Sequence, residues 1–119
     1  MSLEEMLDVW KEVRAGLIAE LAQIPAEQFG FQATSESRSV AGIIRHIIDT
    51  QKFLTDKMCR PDTDFKRLPK GKTMSKLGLL YLYIGHEMWH RGQISVYERL
   101  MQIEPALTAK LRESLASDV

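Results

Sequence analysis

The stretch GHEMWHRGQISVYERL, residues 85–100, holds two of the three histidines in a chain of 119 residues. Wound as an α-helix, it places His86 and His90 about 40° apart around the axis and about 6 Å apart along it. Both imidazoles can then point at one place. Leu79, Leu82 and Tyr83 lie before the pair on an apolar stripe, and Gln93, Tyr97 and Leu100 continue it. The stripe predicts that both histidines face the core. A buried ring nitrogen without a partner costs about 1–3 kcal/mol, so two such rings need two sets of partners or one shared partner. A divalent metal is a shared partner that binds the neutral rings.

Working outward, this helix should run from about Thr73 to Gln102, on the order of 45 Å. Gly78, Gly85 and Gly92 recur in it every seven residues. Falling on one strip, they predict a neighbouring helix that approaches closely. Pro105 opens a short last helix to about residue 116. Upstream, residues 3–24 carry Leu3, Met6, Leu7, Trp10, Val13, Leu17, Leu21 and Ile24 at helical spacing. Ser2 and Glu5 form a capping box ahead of them, and Pro25 stops the continuation. A connector, PAEQFGFQATSESRS, brings Phe29 and Phe31 towards the core. The second long helix should span about 39–58, with Val40, Ile43, Ile44, Ile47, Ile48 and Leu54 on its apolar face.

His46, the third histidine, sits on that second helix beside Gly42, Thr50 and Phe53. Gly42, one turn before it, leaves room for a neighbouring helix or a bound group. If the two histidine-bearing helices pack side by side, His46 faces the His86/His90 pair. Three imidazoles would then hold one ion and leave coordination positions open, as catalytic rather than structural sites do. The competing reading is a bundle whose histidines are core polar residues with separate partners.

No strand pattern, internal repeat or low-complexity segment interrupts the helical periodicity. The fold expected is all-α, an up-down bundle with three long helices and a short C-terminal one, residues 1–119 forming a single domain. Sixteen acidic and sixteen basic side chains balance, so no net field draws the chain to nucleic acid or anionic lipid. The longest apolar run, LGLLYLYI, is too short to cross a bilayer, and the acidic amphipathic start resembles no targeting peptide. One cysteine, Cys59, cannot form an internal disulfide, in keeping with a cytoplasmic protein.

His86-Glu87-Met88-Trp89-His90 also reads as H-E-x-x-H, the zinc-protease signature, with Glu as general base. The required third ligand is missing. Gln93 and Val96 stand where the extended motif asks for Gly and His; Glu98 faces away along the helix, and Glu104 abuts Pro105. Glu87 is expected to pair with Arg91 at i+4 on the helix flank.

The pattern H-x-x-x-H-R-G-Q followed by an apolar, Arg-bearing helix resembles the signature helix of the DinB/YfiT-like superfamily of metal-binding helical bundles. RSVAGIIRHIIDTQKFL is similar to the second helix of that family, with His46 at its first ligand position. The resemblance implies a metal site of His46, His86 and His90, usually occupied by zinc or nickel. It implies activities that include thiol-dependent transferases and isomerases, in which the metal holds a small thiol as thiolate for attack on an electrophile, and hydrolases. Gln93 and Tyr97 are candidates for contacts to the ligands or substrate; Tyr83 and Asp49 are further ones.

Family members carry one more helix between the two ligand-bearing ones, and here only CRPDTDFKRLPKGK separates them. The missing side of the bundle is expected from the C-terminal helix or, in preference, from a second copy in a homodimer. A metal-binding helical dimer without catalysis, a scaffold or sensor, is the alternative to an enzyme.

Overall fold

A computed structural model describes residues 1–59 and 75–117. They form α1 (Leu3–Ala22), a 3₁₀ turn at Ala26–Gln28, α2 (Val40–Met58), α3 (Lys76–Leu100) and α4 (Ala106–Ser117). Among the described residues the only β pairing is an isolated bridge between Gln32 and Ser39. No helix among them is long and apolar enough to cross a membrane. The separating segment CRPDTDFKRLPKGK lies, apart from Cys59, outside the described residues.

Each long helix begins at a serine. Ser2, Ser39 and Ser75 accept hydrogen bonds from the backbone N–H groups of Glu5, Gly42 and Gly78 respectively, and Glu5 completes the capping box with Ser2. A helix start leaves four N–H groups without intrahelical partners, and a serine oxygen satisfies one of them. At α2 the closure goes further. Val40 N–H donates to Phe31 O and Ala41 N–H to Phe29 O, at 3.1 and 2.9 Å. The connector is thereby stitched to the first turn of the helix that carries His46.

α2 runs antiparallel to α1 and α3; α3 packs on both, and side chains of α1 and α2 meet in the apolar clusters. Two apolar clusters stack along the bundle. Leu17, Ile24, Val40, Ile43, Ile47, Ile94 and Tyr97 form the first, with Phe29 and Phe31 packed against it. Met6, Val13, Leu54, Leu79, Leu80 and Ile84 form the second, at the other end. Several stripe residues fall outside this core. Leu3, Ile48, Leu82 and Leu100 are about half exposed, at 53%, 48%, 50% and 52%. With only three helices meeting, each can bury a narrower face than a fourth neighbour would allow.

Among the described residues, Gly85 and Gly92 of α3 do not serve the close approach expected of the glycine strip. A Cβ added at Gly85 or Gly92 would meet nothing within 4 Å. The crowded glycine is instead Gly16 on α1, where the Arg91 guanidinium lies flat in the space a Cβ would occupy. α4 leaves the strip uncovered too: it docks on α1 through buried Pro105 and its first turn, where Leu107 N–H donates to Glu20 Oε1 at 3.2 Å.

Candidate metal centre

His46 comes from the first half of α2, and His86 and His90 from the middle of α3. The antiparallel packing brings the three rings together. His86 Nε2 lies 3.0 Å from His46 Nε2 and 3.1 Å from His90 Nε2. The rings stand steeply to one another, at 64°, 78° and 80°, like three blades with their tips converging. One donor atom from each falls within 4.8 Å of the others, the one such group of His, Cys, Asp or Glu among the described residues.

The spacing fits a cation. Imidazole nitrogens held about 2.0–2.1 Å from one ion sit about 3.3 Å apart at tetrahedral angles, and about 3.0 Å apart at right angles. His90, 4% exposed, has its other nitrogen engaged: Nδ1 lies 2.6 Å from Gln93 Oε1. An amide oxygen only accepts, so Nδ1 is the donor, and in the neutral ring the lone pair is then on Nε2, inside the cluster. Burial pushes His46 and His86 below the ordinary histidine value. Arg38 and His90 add to the effect at both rings, and His46 adds to it at His86, while Asp49 and Glu87 oppose it weakly. Rings kept neutral near pH 7 are rings able to ligate.

His86 and His46 are half-buried rather than enclosed, because one side of the cluster opens into a cleft of about 540 Å³. Arg38, Tyr81, Leu82, Gly85 and Trp89 line it together with the three histidines. No signal in the helical periodicity pointed to Arg38, which precedes α2 in what reads as a connector. Only the fold brings it to the cleft.

The other sequence candidates separate by role. Gln93 touches the His90 ring. Tyr97 does not reach the cleft: it is buried, packs edge-on against Phe31 with centroids 5.5 Å apart, and donates its hydroxyl to Arg38 O at 2.7 Å. Tyr83 lies alongside His86, centroids 6.1 Å apart, and stacks on Phe53. Asp49 is exposed and meets His46 only through its charge.

Glu87 corrects an expectation. It is 4% exposed and binds Arg14 of α1, not Arg91, in a two-point pair whose Nε–Oε2 arm is 3.0 Å; Gln51 of α2 accepts from the same guanidinium. The flank pair is thus a buried knot tying three helices. A carboxylate locked this way is no general base, which closes the protease reading from a second direction.

Residues 54–115 match the DinB family, just over half of the chain. This chain belongs to the DinB family. The matched region contains His86 and His90 and begins after His46. No curated protein and no solved structure matches the chain. The four helices are consistent with an all-α bundle of this family.

Proposed function

We propose that this DinB-family chain is a divalent-metal protein whose His46, His86 and His90 ligate a single ion, zinc or nickel, and whose cleft admits a small ligand to the ion's remaining positions. The convergence of three Nε2 atoms, with Gln93 setting the tautomer of His90, carries the reading. Three histidines with an open side correspond to catalytic rather than structural coordination. Such an ion, when bound, acidifies a bound water or holds a thiol as thiolate.

The residues around the cleft favour thiol transfer over hydrolysis. Among the described residues that line it there is no carboxylate to take a proton from water, and Glu87 is committed to Arg14. A thiolate needs no such base. Tyr81, Leu82 and Trp89 offer apolar surface against which an electrophile can rest beside the histidines.

A metal-binding homodimer without catalysis remains the second reading, and one observation favours the dimer itself. The strip of α3 bearing Gly85 and Gly92 is bordered by Tyr81, Leu82, Met88, Trp89 and Val96, which are 50–69% exposed. Small residues flanked by large apolar ones form a seat for a helix. In this reading a second copy fills the seat.

Elemental analysis of protein purified without a polyhistidine tag tests the metal. About one equivalent is expected from the three-ligand geometry, none after His90→Ala, and an affinity about 10–100-fold weaker after Gln93→Ala. Wild-type protein that fails to retain zinc or nickel on titration overturns the proposal. Turnover of an electrophile with a thiol, dependent on metal and lost with His90→Ala, separates enzyme from scaffold.

A further inference from the structure

We infer that the cleft binds a small organic carboxylate, its charged end on the Arg38 guanidinium, its apolar body along Leu82 and Trp89, and its far end at the three histidines. The far end rests on the metal reading above; the Arg38 end stands without it.

Arg38 is held from three sides although its side chain is exposed. Its backbone oxygen accepts the Tyr97 hydroxyl at 2.7 Å, which fixes the residue against α3. Next in the chain, Ser39 caps α2. The stem of Arg38 lies over Gly42, where an added Cβ would meet Arg38 Cβ at 3.4 Å and Cγ at 3.9 Å. The room that Gly42 leaves beside His46 is thus taken by the arginine stem. So placed, Arg38 lines the same cleft as His46, His86 and His90. Among the described residues no acid pairs with it, whereas Arg14 and Arg112 each hold a glutamate.

The chemistry of the occupant follows from the lining. A guanidinium presents a planar fork that matches an oxyanion at two points. Among the described residues lining the cleft it is the one cationic side chain beside the histidine cluster. The N–H groups of Val40, Ala41 and Gly42, which at an open helix start would help to bind phosphate, are already taken by Phe31 O, Phe29 O and Ser39 Oγ. One cation and no free helix start suit a singly charged carboxylate better than a phosphate dianion. The remaining wall is carbon, from Tyr81, Leu82 and Trp89, so the body of the ligand is apolar or aromatic.

Calorimetric titration with phenylacetate and with its uncharged isostere phenylacetamide tests this on both metal-free and zinc-loaded protein. The carboxylate should bind metal-free wild type about tenfold more tightly than the amide, the value of one charge-assisted hydrogen-bonded pair. Arg38→Gln should abolish that preference and leave zinc stoichiometry unchanged, with Arg38→Lys retaining part of it. Trp89→Ala should weaken both compounds alike. Equal binding of acid and amide by metal-free wild type, or a preference that survives in Arg38→Gln, overturns the inference. Failure of zinc to bind overturns the metal reading instead, and leaves the comparison on metal-free protein to decide Arg38.

Discussion

Glu20 and Glu98 are both fully buried, 0% exposed, where α1 meets α3. Gln23 donates to Glu98 Oε2 at 2.7 Å, and Ser95 and Leu107 N–H donate to Glu20, but Glu98 Oε1 has no hydrogen-bond partner among the described residues. Burial, and then the charge of Glu20, push the Glu98 carboxyl up to about 7. Between the unfolded value of 4.5 and about 7 the folded chain keeps a proton that the unfolded chain has lost, so stability falls as pH rises through that window and levels off above it. Discounted for screening by solvent, the effect is on the order of 1–3 kcal/mol. Glu98→Gln, whose amide can donate to Glu20, should flatten the pH dependence of the melting temperature from pH 5 to 8 and stabilise the protein at pH 8 by about 1–3 kcal/mol. An unchanged profile would show that the two carboxyl groups do not interact. The reversed role of Glu87 belongs to this same seam. Its sequence neighbour at i+4 is visible on a helical wheel, but Arg14 comes from 73 residues away, and no local pattern encodes which of two arginines a fold will deliver. The histidines were easier to read because a helix of known pitch fixes His86 relative to His90, and one packing choice places His46.

At the scale of elements, the end of α3 stores a correctable strain. Gln102 adopts φ 64°, the left-handed conformation that glycine takes most readily. The hydrogen bonds are those of a Schellman ending: Ile103 N–H reaches Glu98 O at 2.8 Å and Gln102 N–H reaches Arg99 O at 3.1 Å. Ile103 then packs against the first apolar cluster, so the bend is needed to turn the chain towards Pro105. A side chain in this conformation costs about 1 kcal/mol, and Gln102→Gly should raise stability by about that amount in chemical denaturation, with Gln102→Val lowering it. The helices themselves were legible. Serine caps, 3.6-residue spacing and Pro25 set their ends to within a few residues. Their burial was less so: Ile48, Leu82 and Leu100 satisfy the period, yet which edge of an apolar stripe is covered depends on how many neighbours arrive. The glycines at 85 and 92 likewise announce a place for close packing without saying whether the same chain fills it.

For the molecule as a whole, the uncovered strip on α3 is the feature with most consequence. A second copy seated there predicts a dimer in light scattering at micromolar concentration, not the 13.6 kDa of one chain. Gly92→Leu should shift it to monomer while leaving helicity unchanged, since a Cβ added there meets nothing within 4 Å among the described residues. Wild-type protein that stays monomeric would leave the apolar strip without an occupant. The tie between Tyr97 and the carbonyl of Arg38 has a bearing on selectivity. His86, His90 and Tyr97 ride on one rigid rod, and through that tyrosine the rod also grips the base of the arginine. The histidines and the backbone of Arg38 are therefore held at a set span, like the jaws of a calliper whose one adjustable tip is the exposed arginine side chain. Chain length, more than bulk, would decide which carboxylates reach both jaws at once.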